Sequence, residues 1–227
     1  MKTVFEETYN NWKKLSGFFW GDIFDFRFFI SIELSKIKTK SVLDLGCSVG
    51  VNLNLVDATE KIGIDINIES LKNGKIIYPN IQFIAASAEN LPFKNNVFEQ
   101  IISIHTLDTS LNEKNTINEI KRTTNSDSQV FLTGNWYHEK TFDKESLKEK
   151  IFGEWINQLK EDFQCNTIWY VRPNLKKINL KIKRKIILKS PKYFFKIFDM
   201  DKILKNMYKE SKNPLEREPY IVKGKRK

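Results

Sequence analysis

Residues 41–67, SVLDLGCSVGVNLNLVDATEKIGIDIN, constrain the fold of this chain more than any other stretch. A short apolar run, 41–45, holds Asp44 within it and closes on Gly46, and a second glycine follows at Gly50. After a brief helical stretch comes a second apolar run, 62–66, containing Asp65. Short aliphatic and β-branched runs of this kind are the pattern of parallel strands buried on both faces. The glycines let the backbone turn sharply and lie close to a ligand. Strand, glycine turn, helix, strand and terminal acid together make the first half of a nucleotide-binding βαβ unit.

The acids and glycines narrow the ligand. A dinucleotide site asks for G-x-G-x-x-G, but Gly46 and Gly50 have no third partner, which disfavours a nicotinamide-dependent oxidoreductase. Asp44 lies two residues before the turn, where a carboxylate would repel a pyrophosphate and suits a ligand carrying an ammonium or sulfonium group. Asp44-Leu45-Gly46-Cys47-Ser48-Val49-Gly50 resembles the first motif of the class I S-adenosylmethionine-dependent methyltransferases, D/E-x-G-x-G-x-G, with Ser48 in place of the middle glycine. The resemblance implies a Rossmann-like, doubly wound α/β fold with a seven-stranded, mostly parallel sheet and helices on both faces, and S-adenosyl-L-methionine as cofactor. The bland alternative is a buried strand and turn with no ligand.

A length of 227 residues suits one domain with an appendage. Cys47 and Cys165 have no framework spacing, which argues against a disulfide scaffold and for a reducing compartment. Glu6 and Glu7 stand where a secretory signal would be basic. The expectation is a cytoplasmic protein, with peripheral membrane contact as an option. Charge divides the chain: residues 172–227 hold 19 Lys and Arg against 5 Asp and Glu, net +14, whereas residues 1–171 hold 19 against 23, net −4. The basicity belongs to the tail.

The N-terminal segment, 1–38, reads as an aromatic-rich helical cap. Phe19, Ile23, Phe26, Ile30 and Leu34 follow helical spacing, while Asp22, Asp25, Arg27 and Glu33 break any apolar span long enough to cross a membrane. Packing against the sheet accounts for most of these aromatics. In the resembled family such helices also cap the methionine end of the cofactor, and Tyr9 and Trp12 are the candidates for that role and for a substrate wall.

Beyond the opening unit, Asn67 suits the N-cap of a helix through about residue 77, and 81–85 reads as the third strand. It runs into Ser87-Ala88-Glu89-Asn90-Leu91-Pro92-Phe93, which looks like the family segment D-A-E-x-L-P-F, whose first two residues contact the adenine. Ser87 replaces the usual aspartate and would keep a hydroxyl acceptor without charge assistance. Residues 97–105 read as a fourth strand, 111–124 as a helix with Ile117 and Ile120 inward, 125–128 as a turn and 129–133 as a fifth strand. A helix over 144–163, a strand over 167–171 and a last, antiparallel strand over 219–222 complete the expectation.

Ligands of open parallel sheets sit outside the carboxyl ends of the strands, so Gly46, Asp65, Ser87 and His105 are expected along one rim. The cofactor contacts implied by the resemblance are Asp44, Gly46, Cys47, Ser48, Gly50, Asp65, Ile66, Ser87, Ala88, Glu89 and His105. Asp65 suits both ribose hydroxyls, and Asp44 suits the methionine ammonium or, alternatively, the backbone donors of its own turn. Glu89 suits a turn cap better than a ligand contact. His105 is the candidate general base, against a plain packing role. Trp136, Tyr137 and His138 are candidates for the acceptor pocket or a packed loop. His105, His138, Cys47 and Cys165 lack metal-ligand spacing, and methyl transfer from a sulfonium requires no metal.

Within 172–212, many lysines and arginines alternate with Tyr193, Phe194, Phe195, Ile197 and Phe198. A packed helix with a solvated basic face, contact with an anionic membrane surface, and an RNA-binding patch all fit. The expected organisation is an N-terminal cap over 1–38, a cofactor-binding core over 39–171, a basic amphipathic insertion over 172–218, and a last strand with a basic tail over 219–227. The 87–93 block and the aromatic cap resemble family members that modify small metabolites, so a small-molecule or lipid-linked acceptor is expected. The alternatives are RNA and a non-catalytic cofactor-binding module.

Overall fold

The computed structural model describes residues 30–31, 33–107, 110, 112–134, 157–170, 208–209 and 220–227. Tyr9, Trp12, Trp136, Tyr137, His138, all but two residues of the basic insertion, and 144–156 of the expected sixth-strand helix lie outside the described residues. The described elements are β1 (Lys38–Leu45), α1 (Val51–Leu55), β2 (Asp57–Asp65), α2 (Ile68–Ile77), β3 (Gln82–Ala85), β4 (Phe98–Ile104), α3 (Glu113–Thr123), β5 (Thr124–Gly134), β6 (Phe163–Tyr170), β7 (Tyr208–Lys209) and β8 (Tyr220–Arg226).

The strands form one mixed sheet in the order β3-β2-β1-β4-β5-β8-β6-β7. β1 runs parallel to both β2 and β4, β2 to β3, and β4 to β5, while β8 is antiparallel to β5 and β6. The seven expected strands are all present, and the two-residue β7 adds an eighth against β6. β1 enters the core where its lysines end: Lys38 and Lys40 are exposed, and everything from Ser41 to Leu45 is buried. Leu43, Leu45, Ile64, Ile101, Leu132 and Val222 pack with Ile117 and Ile120 of α3. Each such side chain is worth roughly 1.5–3 kcal/mol of burial.

Local signals set most boundaries. Asn67 caps α2 by accepting from the Ser70 N–H at 3.1 Å, as its sequence predicts. Asn112 does the same for α3 through the Asn115 N–H at 3.1 Å. The polar 125–128 stretch, expected as a turn, lies instead inside β5: pairing with β4 jumps from Phe98↔Thr124 to Gln100↔Gln129, so these residues form a bulge. Several boundaries differ from expectation, with β1, β2 and β5 beginning earlier, at Lys38, Asp57 and Thr124. Phe163 begins β6 instead of ending the preceding helix, because it is buried and pairs with Arg226. The last strand extends to Arg226, since β5 and β6 engage its backbone from both sides and its lysines can point outward.

The chain lays β2 and β3 on one side of β1 and then crosses to place β4 on the other. The strand order therefore reverses between β1 and β4, and the 46–50 turn leaves β1 at that reversal. Open α/β sheets bind ligands outside the carboxyl ends of their strands at such a point.

Candidate functional site at the carboxyl edge of the sheet

Four adjacent parallel strands end at Leu45, Asp65, Ala85 and Ile104, so Gly46, Asp65, Ser87 and His105 do meet along one rim. The glycine turn is tied to β2 by the N–H groups of Gly46 and Cys47, both donating to the Ile64 carbonyl at 2.9 Å. Gly46 has φ 73°, and a Cβ built there would stand 2.1 Å from Thr106 Oγ1. That oxygen donates to the Leu45 carbonyl at 2.8 Å, so Thr106 fills the space beside the turn. Glycine at 46 is therefore demanded by protein packing, where the sequence suggested only room for a ligand. Gly50 has φ 85°, and a Cβ there would meet the Phe83 ring at 2.8 Å.

Ser48 also adopts a left-handed backbone, at φ 50°, a conformation that costs a non-glycine residue roughly 1–2 kcal/mol. Its N–H donates to Asp65 Oδ2 at 2.8 Å, while Asp65 Oδ1 accepts from the Asn67 N–H at 2.8 Å. A charge-assisted bond of this kind offsets the backbone cost and explains how a serine stands where the family motif has glycine. Asp65 thus braces the turn. A carboxylate has about four lone-pair directions, so two remain for a diol.

Asp44 behaves differently. Its side chain is 1% exposed, and neither carboxylate oxygen has a hydrogen-bond partner among the described residues. The alternative in which it satisfies the donors of its own turn is not what the turn does, since those N–H groups go to Ile64 and Asp65. Burial, and then the negative charge of Asp65, hold the Asp44 carboxyl well above the usual carboxylate range. Cys47 lies beside it; burial first, and then Asp44 and Asp65, push its thiol far up, which leaves it an inert packing residue against Gly63. Ile66, directly after Asp65, is 80% exposed, an aliphatic surface open at the rim.

The segment after β3 is held on both flanks. Ala86 donates its N–H to the Asp65 carbonyl at 3.2 Å, and Ser87 Oγ accepts from the Glu89 N–H at 3.2 Å. Glu89 Oε1 accepts from Ser110 Oγ at 2.9 Å and from the Asn112 N–H at 3.0 Å, so this carboxylate ties the segment to the entry of α3. The Leu91 N–H donates to Glu119 Oε2 at 2.6 Å, and Arg122 donates to the carbonyls of Leu91 and Phe93 at 3.0 and 2.7 Å. Phe93 stands edge-on to Phe98 with centroids 5.0 Å apart.

β4 ends one residue before His105, which takes φ 60° and donates its N–H to the Thr133 carbonyl at 3.1 Å. The turn at His105 is thereby anchored to β5, and Nδ1 is shielded from solvent. Thr106, Glu119 and Arg122 were not singled out by sequence. Glu119 and Arg122 carried a signal, three residues apart on one helix; Thr106 carried none. No three His, Cys, Asp or Glu side chains among the described residues come together to hold a metal ion. A cleft of about 1010 Å³ lies at the opposite, amino edge of the sheet, lined by Lys38, Thr39, Glu99, Gln129 and Lys225 among others, away from this rim.

The buried Asp44 carboxylate, with no hydrogen-bond partner among the described residues, is the feature that fits a bound cation, and the exposed Ile66 and the remaining lone pairs of Asp65 fit a nucleoside beside it. Residues 36–213 match the family model described as a methyltransferase domain. Two uncharacterized proteins of Methanocaldococcus jannaschii, MJ0638 and MJ1252, are 32% identical over 129 residues and 34% identical over 108. Those alignments cover 55% and 47% of this chain and 52% and 42% of the relatives, so the chain spans about half the length of the curated relatives it matches. Among solved structures, the YcgJ protein of Bacillus subtilis superposes with a TM-score of 0.58 at 14% identity, covering 88% of this chain and 98% of that one. A SAM-dependent methyltransferase of Thermotoga maritima, a possible histamine N-methyltransferase, gives 0.57 at 14% identity, covering 99% and 98%. At such identities the superpositions speak for the fold, and the family model, matching well over half the sequence, for the lineage: the chain belongs to the class I S-adenosylmethionine-dependent methyltransferases.

Proposed function

We propose that the protein transfers a methyl group from S-adenosylmethionine to an oxygen, nitrogen or carbon nucleophile of a small-molecule or lipid-linked acceptor. The observation that carries the donor half is Asp44, a buried carboxylate with no partner among the described residues, at the strand-order reversal. A buried charge without a partner is costly, and a bound ammonium would remove that cost. Asp65 would receive the ribose hydroxyls, Ile66 would lie against the adenine face, and Ser87 with the Ala88 backbone would meet the adenine edge. Gly46, Cys47, Ser48 and Gly50 would shape the turn beneath the methionine moiety.

When bound, S-adenosylmethionine supplies a methyl group already activated on a sulfonium, and the departing thioether sulfur needs no proton. The protein's own work is then alignment and exclusion of water, effects that supply on the order of 7–11 kcal/mol in well-oriented reactions. His105, just past β4 with its backbone anchored to Thr133, is our candidate for taking a proton from the acceptor. Tyr9, Trp12, Trp136, Tyr137 and His138 are proposed for the acceptor side.

The small-molecule or lipid-linked acceptor rests on the 87–93 block and the aromatic N-terminal segment. The net +14 of residues 172–227 favours a second reading, RNA, and would equally suit an anionic membrane surface. No helix among the described residues is long and apolar enough to cross a membrane. Calorimetry with S-adenosylhomocysteine tests the donor half: absence of binding to the full chain would sink it and leave a fold without its ligand. Labelled-methyl transfer against fractionated metabolite, lipid and RNA pools tests the acceptor. Transfer only to RNA would replace the first reading, and binding without transfer to any pool would favour a non-catalytic cofactor module.

A further inference from the structure

We infer that Glu119 and Arg122, on α3 and outside the donor rim, are positioning residues that set how the protein reads the adenine. The inference rests on the reading of 87–93 as the adenine segment. Successive turns of α3 bring the two residues to one face, and Arg122 meets Glu119 through two parallel bonds, Nε to Oε1 at 2.7 Å and Nη2 to Oε2 at 2.8 Å. Both partners then reach the segment. Glu119 Oε2 accepts from the Leu91 N–H at 2.6 Å, and Arg122 Nη2 donates to the Leu91 carbonyl at 3.0 Å. The second guanidinium nitrogen donates to the Phe93 carbonyl at 2.7 Å and to Asn95 Oδ1 at 2.9 Å.

One residue of the segment, Leu91, is thus held at both its N–H and its carbonyl by an ion pair, much as a neighbouring strand would hold it. β3 is only four residues long and has no further strand beyond it among the described residues, so the ladder that would ordinarily fix the chain past Ala85 stops there. The Glu119–Arg122 pair takes over that task, and Glu89 adds a second tether to Ser110 and Asn112. Side-chain exposures of 15% for Glu119 and 32% for Arg122 keep the pair partly out of water, where its geometry is better maintained than at a fully exposed site.

The consequence is a specificity effect. The Ala88 N–H and the Ser87 hydroxyl lie three and four residues before Leu91, so loosening Leu91 blurs where a donor and a hydroxyl meet the base edge. Adenine accepts at its N1, whereas hypoxanthine carries a proton there. A fixed N–H in this position therefore favours the adenosyl ligand over its inosyl analogue, and a loose one discriminates less.

The test is calorimetry on the full chain with S-adenosylhomocysteine and S-inosylhomocysteine. Arg122→Lys keeps the charge and cannot span all five acceptor atoms; Glu119→Gln keeps the shape and weakens the pair. Both are expected to lower the ratio of the two affinities by about tenfold, an effect of misplacing a contact group by a fraction of an ångström. Lys121→Met, on the same helix turn but paired with Glu161 and Asp162 at 2.8 Å, is the control. It should lower the melting temperature and leave the ratio unchanged. Equal loss of affinity for both ligands, or an unchanged ratio in folded Arg122→Lys and Glu119→Gln, would overturn the inference while leaving the donor reading intact. Failure of the unmodified chain to bind S-adenosylhomocysteine would remove both.

Discussion

The two edges of the same sheet treat their acids in opposite ways. At the amino edge, Glu33 pairs with Lys36 and Lys223, Asp57 with Lys38, Asp127 with Lys225, and Glu161 and Asp162 with Lys121. At the carboxyl edge, Asp65 is met only by backbone N–H groups, and Asp44 by no hydrogen-bond partner at all, among the described residues. Lysines lie within reach of the first set, and the exposed pairs among them, Lys38–Asp57 and Lys225–Asp127, add little stability. The second set gathers negative potential in a poorly solvated place, which is costly unless a cation arrives. Unbalanced charge is thus confined to the carboxyl edge of this comparison, while the cleft of about 1010 Å³ lies at the balanced edge.

The contrast can be broken by substitution. Asp65→Ala removes the proposed diol acceptor and the brace on Ser48 together, and S-adenosylhomocysteine affinity by calorimetry should fall at least about 100-fold, the loss of two charge-assisted bonds. Retained affinity would detach the carboxyl edge from the donor.

Asp44→Asn should act in two directions at once. Donor affinity should fall about 10- to 100-fold, as for one charge-assisted contact. The empty protein should instead become more stable at neutral pH, with each kcal/mol of relief worth roughly 2–4 °C in a chain of this size. The sign follows from the raised Asp44 carboxyl: the folded state keeps its proton to higher pH than the unfolded chain does, where aspartate titrates near about 3.9. Stability from this group is full below that unfolded value and is lost as pH rises through the folded one. Melting temperature followed from pH 4 upward should therefore decline less in Asp44→Asn than in the natural protein. Donor affinity should weaken as pH falls, because only the ionised carboxylate attracts an ammonium. A fully paired Asp44 would show neither trend.

At the other edge, Lys38→Met breaks a 3.7 Å pair whose side chains are 81% and 71% exposed. The expected stability change is below about 0.5 kcal/mol, with no change in S-adenosylhomocysteine binding. A donor effect from this position would show that the two edges are coupled and erase the distinction.

Much of the carboxyl edge was legible because its signals are local. Asp44, Gly46, Gly50 and Asp65 lie within 22 residues, and Asn67 announces its own helix. The signals failed where a contact spans the chain. Thr106 meets Gly46 only after β4 has crossed to the far side of β1, and nothing around Thr106 in sequence hints at a glycine 60 residues earlier. Asn125–Ser128 reads as a turn, yet its place inside β5 depends on pairing with Phe98 and Gln100.

The sequence by itself determined the family, through a strand closed by a glycine turn, an acid within it, an acid at the end of the next strand, and the 87–93 block. Those are statements about adjacent residues, and adjacency is what backbone sterics and strand periodicity act upon. Only the tertiary structure decided which acids are balanced and which are not, because an aspartate's partners come from other strands and helices. Asp44 and Asp57 both sit in β-strands of the same sheet, and the difference between them lies in burial and in which side chains the topology brings near: a lysine beside Asp57, and for Asp44 no cation among the described residues.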